Sequence, residues 1–295
     1  MNIKNIKLVY GKLKRRYRLW RRNERLRENT VQKEKIKLLN IKGIKDWVSP
    51  TYFKSRAVQL NPLTLEKNRC IAASPFRKEA IPYKILRHQL ARAVEELGGN
   101  TIMVTSALPR EGKTLTAINL AFIFARKFEH TVLLVDCDLK KQDIHQVLGY
   151  ESDKGLVNYL FNECTITDLI AWPTCREKLT IISGGKIIDE SSAVLGSPWM
   201  KELLADIKGR YPERLLIFDL PPVLAAADAM VFAKLVDHIV VVVEADKTSM
   251  TDLNAALQLL PQKKIRGLIL NRMHSPAVSE YPDPHTGENT FYSRE

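Results

Sequence analysis

The 295-residue sequence is short of the features that mark several large protein classes, and each shortage narrows the reading. It has four cysteines, Cys70, Cys137, Cys164 and Cys175, widely spaced and without a C-x-x-C pair. That spacing suggests neither a disulfide framework nor a zinc site, and it fits a reducing cytosol. The opening stretch "MNIKNIKLVYGKLKRR" lacks an apolar h-region of adequate length, so no secretory signal is expected. Long hydrophobic runs are missing too. The most apolar stretch, Val223 to Val243, is broken by Asp228, Lys234, Asp237 and His238, which argues against a membrane span. No internal repeat is visible. Acidic residues are scarce in one place: residues 1–45 hold 16 Lys/Arg against 3 Asp/Glu. The rest of the chain is balanced, so the whole net charge of +13 sits in that segment.

What is present divides into three regions. Residues 1–75 are basic and then punctuated by Pro50, Pro62 and Pro75, the composition of an arm plus linker. Residues 76–276 alternate strand and helix signals. The runs "TIMVTSA", "TVLLVDCD", "LTIISGG", "LLIFDLP", "HIVVVVEA" and "GLILNRM" are Val-, Ile- and Leu-rich without polar alternation, as strands buried on both faces require. Helix-length segments such as Lys113–Lys127, Pro198–Gly209 and Met250–Leu260 lie between them. The expected fold is an α/β, doubly wound, mainly parallel sheet. Residues 277–295, with Pro282, Pro284 and little apolar content, are expected to be a flexible tail.

One motif decides the chemistry. Ala107, then Leu108-Pro109-Arg110-Glu111, then Gly112-Lys113-Thr114 match the phosphate-binding pattern [AG]-x4-G-K-[ST]. The loop follows a β-type run and opens, at Leu115, into a helix-like segment. In that setting backbone N–H groups and the helix N-terminus surround the β-phosphate, Lys113 reaches the β/γ oxygens, and the Thr114 hydroxyl ligates Mg²⁺. Two other strands end in acids: "TVLLVDCD" in Asp136 and Asp138, "LLIFDLPPV" in Asp219 before two prolines. A lone Asp at such a place serves equally as a helix N-cap or a turn residue. Beside a phosphate loop, Asp219 fits the Mg²⁺ role and Asp136 the role of orienting the attacking group. No Asn-Lys-x-Asp guanine-reading motif appears, so ATP is expected over GTP.

Over Tyr83 to Asn271 the sequence resembles the bacterial tyrosine kinases of capsular and exopolysaccharide synthesis, in the MinD/ParA branch of P-loop ATPases. The carriers are the Walker A loop "ALPREGKT", the Walker A′ strand "LLVDCDLKK", the Walker B run "LLIFDLPPV" and the closing strand "GLILNRM", with "PYKILRHQL", "GLVNYL", "IISGG" and "DHIVVVVEADKTS" as further landmarks. Positioning ATPases of the same branch carry a signature lysine where this chain has Leu108, which favours the kinase branch. The resemblance implies ATP with Mg²⁺, phosphate binding by Lys113 and Thr114, Asp136 and Asp138 around the attacking hydroxyl, metal support by Asp219 and an adenine contact at Asn271. It also implies a co-polymerase partner in the inner membrane and tail tyrosines as phosphoacceptors, here Tyr292 and Tyr281. The chain departs from the family at Arg110, usually Gly, and in the oligomerisation helix, where the family carries Glu-x-x-Arg-x-x-Arg and the register here gives Ile81, Lys84 and Arg87 with Pro82 intruding, so only Arg87 matches; homo-oligomer assembly thus stays open. The alternative is a non-kinase MinD/ParA-like ATPase that scaffolds the polysaccharide machinery or positions itself on membrane or DNA.

The basic arm has its own pattern. Ile6, Val9, Leu13, Tyr17 and Trp20 recur at helical spacing among Lys7, Lys12, Lys14, Arg15, Arg16 and Arg18. An anionic membrane surface suits such a segment, and residues 1–45 are expected to hold the protein at the inner membrane from the cytoplasmic side. A solvated tail and a nucleic-acid arm share the composition, though nucleic acid is not the expected partner.

Overall fold

The structure, a computed structural model, describes residues 56–74, 78–126, 131–173, 178–210 and 213–273. Eight strands among them form one sheet: β1 (Arg56–Val58), β2 (Thr101–Ser106), β3 (Thr131–Asp136), β4 (Ile170–Pro173), β5 (Leu179–Ile182), β6 (Arg214–Asp219), β7 (His238–Glu244) and β8 (Ile265–Asn271). Their spatial order is β1-β4-β5-β3-β6-β2-β7-β8. The six strands from β5 to β8 pair in parallel. These six are the expected ones, and every residue of β2, β3, β5 and β6 is buried. Strands covered on both faces have no solvent side to mark with polar residues, hence the unbroken apolar runs.

The helices are α1 (Pro62–Lys67), α2 (Ile81–Leu97), α3 (Lys113–Phe124), α4 (Ile144–Leu148), α5 (Leu156–Leu160), α6 (Ile166–Leu169), α7 (Ser191–Leu195), α8 (Pro198–Arg210), α9 (Asp228–Ala233) and α10 (Met250–Gln258). Helix α3 is buried nearly all round from Thr116 to Phe124. Pro82 sits in the first turn of α2, where a missing N–H breaks no helical bond. None of the described helices is long and apolar enough to cross a membrane.

Two findings differ from expectation. The sheet has an edge pair that the sequence did not suggest: β4 runs antiparallel to β5, with Ile170 opposite Ile182, and β1 runs parallel to β4. The linker expected through residue 75 is shorter than that, because residues 56–74 belong to the domain. Val58, Leu60, Leu65, Cys70 and Ala72 are buried in the core that covers α3. Buried Asn119 of α3 fastens this segment: its Oδ1 accepts from Ala72 N (2.9 Å) and its Nδ2 donates to Arg69 O (3.2 Å). Pro62 is the first residue of α1, capped by Asn61, rather than linker punctuation. The amphipathic stripe of residues 6–20 and the tail with Tyr281 and Tyr292 lie outside the described residues.

Strand register sets the site. Asp136 of β3 lies directly opposite Asp219 of β6, and Val104 of β2 pairs with Asp219 on the other side. The carboxyl ends of three central strands therefore meet where β2 feeds the phosphate-type loop into α3, the usual ligand position in an open α/β sheet.

Candidate active site

The loop from Ala107 to Gly112 turns β2 into α3. It makes two excursions into left-handed backbone, at Arg110 (φ 68°) and Gly112 (φ 94°). Only glycine fits the second, since a Cβ there would come within 2.2 Å of Asn271 Nδ2. Arg110 occupies the first with a side chain that glycine would lack, and is exposed. Glu111 faces inward, 2% exposed. Its carboxylate accepts from Leu108 N (2.7 Å) and from the Thr248 hydroxyl, while its carbonyl accepts from Asn271 Nδ2 (2.8 Å). Glu111 and Asn271 thus brace the loop from within, and Thr248, which the sequence reading did not single out, ties it to the turn after β7. The Asp-Leu-Pro-Pro segment is fastened to the loop strand through Leu220 N to Val104 O and Thr105 Oγ1 to Pro221 O.

Lys113 starts α3 and is nearly enclosed by carboxylates. Its ammonium donates to Asp138 Oδ2 (2.7 Å), lies 3.6 Å from Asp219 Oδ1, and bonds the Thr114 hydroxyl (3.2 Å). Burial works to lower its pKa, yet Asp219, Asp138 and Asp136 together hold it above the ordinary lysine value. The strand ends at Asp136, so alternation does not aim Asp138; a turn brings it to Lys113, with Asp138 N donating to Asp136 Oδ1 (3.2 Å). Asp136 Oδ2 accepts from Ile144 N (3.2 Å) at the start of α4.

Asp136 and Asp219 are both fully buried. Burial, and then the negative charge of Asp219, push the Asp136 carboxyl well above the usual range. Burial likewise raises Asp219 to about 6, against the pull of Lys113 and the Thr114 hydroxyl. Neither oxygen of Asp219 accepts a hydrogen bond of ordinary geometry. Lys113 at 3.6 Å is its nearest cation among the described residues, and a buried carboxylate without well-formed hydrogen bonds is costly unless further positive charge completes it. The orphaned oxygens beside the Thr114 hydroxyl therefore suit an oxygen-seeking divalent ion. The residues read from the sequence as the nucleotide and metal site, Ala107 through Leu115, Asp136, Asp138, Asp219 and Asn271, lie around this one loop, whereas the acceptor candidates Tyr281 and Tyr292 lie outside the described residues.

The geometry defines a P-loop nucleotide-binding domain. A family model described as an AAA domain matches residues 101–268, more than half of the chain. The tyrosine-protein kinase YwqD of Bacillus subtilis is 30% identical over 227 residues, covering 76% of this chain and 94% of YwqD. Among solved structures, the VpsO kinase domain superposes with a TM-score of 0.61 at 31% identity, over 70% of this chain and 98% of that one. The chimerical protein CapA2B2 gives 0.64 at 25% identity, over 74% and 93%. The chain belongs to the bacterial tyrosine-protein kinases, ATP-dependent phosphotransferases built on the P-loop fold.

Proposed function

We propose that the protein is an ATP-dependent tyrosine autokinase, working at the cytoplasmic face of the inner membrane, that regulates capsule or exopolysaccharide polymerisation or export together with a membrane-embedded co-polymerase. The observation that carries the reading is the meeting of Lys113, Asp136, Asp138 and Asp219 at one loop, with Asp136 directly opposite Asp219. Thr114 and the orphaned oxygens of Asp219 would hold Mg²⁺, and the Ala107–Leu115 loop the phosphates of ATP. Mg-ATP, when bound, supplies the phosphoryl group and spreads its charge onto the metal.

The chain's own residues do the rest. Lys113 exchanges Asp138 for phosphate oxygens, which frees the Asp138 carboxylate to orient a tyrosine hydroxyl. Asp136 would accept the hydroxyl proton on its carboxylate as the tyrosine oxygen bonds the γ-phosphorus and the bond from that phosphorus to the departing ADP oxygen breaks. Asn271, which donates to Glu111 O of the loop, is the proposed contact on the adenine side of the nucleotide. Tyr292 is the proposed acceptor, ahead of Tyr281, whose backbone is restricted by Pro282.

The test is mass spectrometry after incubation with Mg-ATP. Phosphotyrosine is expected at Tyr292 in the wild type and in neither Lys113→Met nor Asp136→Asn; titration calorimetry should show ATP binding lost in the first and kept in the second. Steady ADP release without phosphotyrosine, with the membrane partner present, would instead support a scaffold ATPase.

A further inference from the structure

The Asp136 carboxyl is oriented by two backbone amides from the residues that follow it. Its Oδ1 accepts from Asp138 N (3.2 Å) and its Oδ2 from Ile144 N (3.2 Å), the first residue of α4. Where α4 sits therefore decides how Asp136 presents its oxygens. A helix of five residues does not hold such a place by itself, because so short a run repays little of the cost of starting it. Asp143, at its N-cap, adds no side-chain capping bond.

The outside hold comes from the segment read from the sequence as linker. At the other end of α4 the carbonyl of Val147, one of those a helix leaves without an internal partner, accepts from Asn68 Nδ2 (2.7 Å). Gly149, left-handed at φ 74°, lets α1 press against the same end, since a Cβ there would come within 2.7 Å of Thr64 Cγ2. Leu65 of α1 and Ile144 and Leu148 of α4 are buried in one core. Asn68 is itself fixed. Its N–H donates to Thr64 O (2.9 Å), and the residues after it are fastened to α3 through Asn119, which donates to Arg69 O and accepts from Ala72 N. Helix α3 opens with Lys113 and Thr114, so this strap is anchored on the phosphate-binding helix while its Asn68 amide reaches across to α4. Asn68 and Leu115 line one cleft with Asp143, Gln146 and Val147.

On the reading of Asp136 as the group that takes the hydroxyl proton, we infer that residues 56–74 form a strap that sets α4 against α3, and that Asn68 is a positioning residue for Asp136. It acts through Val147 and Ile144. The phosphate loop is braced separately, by Glu111 on Leu108 N and Thr248 and by Asn271 on Glu111 O, none of which belongs to the strap. Loss of the Asn68 amide therefore leaves the loop in place and loosens the carboxyl. A misplaced proton acceptor costs rate, whereas nucleotide affinity follows the loop.

The experiment follows phosphotyrosine formation by the full-length protein against Mg-ATP concentration. Asn68→Ala should lower the limiting rate about three- to tenfold and leave the KM for ATP within about twofold of wild type. Asn68→Gln, which keeps a donor amide, should recover most of the rate. Gly149→Ala, which pushes α4 off α1, should reproduce the loss, and adding Thr64→Ser, which removes the methyl that the new Cβ meets, should relieve part of it. An unchanged limiting rate in Asn68→Ala, even with a lower melting temperature, makes Asn68 structural only and overturns the inference. A KM for ATP that rises as far as the rate falls overturns it as well. Asp136→Asn separates the two readings: phosphotyrosine at the wild-type rate in that variant overturns the role of Asp136 and the strap with it, whereas an inactive Asp136→Asn beside an unaffected Asn68→Ala overturns the strap alone.

Discussion

Replacing Asp219 with asparagine should stabilise the nucleotide-free protein at neutral pH while abolishing its activity. The carboxyl is fully buried, without a hydrogen bond of ordinary geometry at either oxygen, and held near 6 rather than 3.8 by burial first, with Lys113 and the Thr114 hydroxyl opposing. Above pH 6 the folded protein must keep a charge that the unfolded chain carries in water, at about 1.4 kcal/mol per pH unit of difference. The ceiling is about 3 kcal/mol at pH 8. Coupling to Asp136 and Lys113 shares that cost, and asparagine forfeits the attraction to Lys113, so about 1–2 kcal/mol is the expected gain. For a domain of this size the melting temperature rises by about 2–8 °C. The sign runs with pH in a defined way. A carboxyl raised on folding favours the folded state below its unfolded pKa, and that favour is lost as pH rises through 6. The advantage of Asp219→Asn is therefore full at pH 8 and falls to about half by pH 5, where the wild type takes up its proton. Urea unfolding of both proteins at pH 8 and pH 5 measures it. Equal stabilities at pH 8, or a gap that does not narrow at pH 5, would refute the argument.

Arg110→Gly should move stability and ligand affinity in opposite directions. Relieving a left-handed arginine returns roughly 1–2 kcal/mol, of which glycine's unfolded-state entropy takes back about 0.4–1; urea unfolding should show a net gain of up to about 1.6 kcal/mol, whereas calorimetry should show weaker ATP binding from loss of a guanidinium contact to phosphate. Deleting residues 1–45 should release the protein from anionic liposomes and leave ATP affinity intact, because that segment carries the whole net charge. Each basic residue near the surface contributes about 1 kcal/mol, so co-sedimentation of the full chain should also fall steeply with salt.

The central strands were legible because burial on both faces writes a continuous apolar run, and the three aspartates because they stand where those runs stop. The edge pair was not. β1 is three residues, "RAV", and β4 is "IAWP"; neither has a period, and each is a strand only because a neighbour pairs with it. The same holds for Val58, Leu60 and Leu65, which read as linker until α3 is seen to need cover. Within the site, the loop motif announced Lys113 and Thr114, but not the inward turn of Glu111. Its partner Thr248 is 137 residues away and Asn271 lies 160 from the loop, separations that only the sheet order β2-β7-β8 brings together. Arg110 gave a usable signal: a departure from glycine in such a loop anticipates strain, and the backbone there is left-handed.

The charges around Lys113 explain why strain and instability collect here. Asp136, Asp138 and Asp219 face a single ammonium in a buried place, so the nucleotide-free site holds an excess of negative charge that burial makes expensive. Two events relieve it: a proton on one carboxyl, or a cation among them. The raised pKa values of Asp136 and Asp219 record the first. The second links metal-nucleotide binding to folding, since any ligand that neutralises the cluster stabilises the folded state in proportion to its occupancy. Lys113 is then released from Asp138 at no loss of neutrality, because the incoming cation replaces the charge that the lysine carries to the phosphates. On the proposed mechanism, the 2.7 Å pair of Lys113 and Asp138 is the contact that must break as the lysine turns to the phosphates.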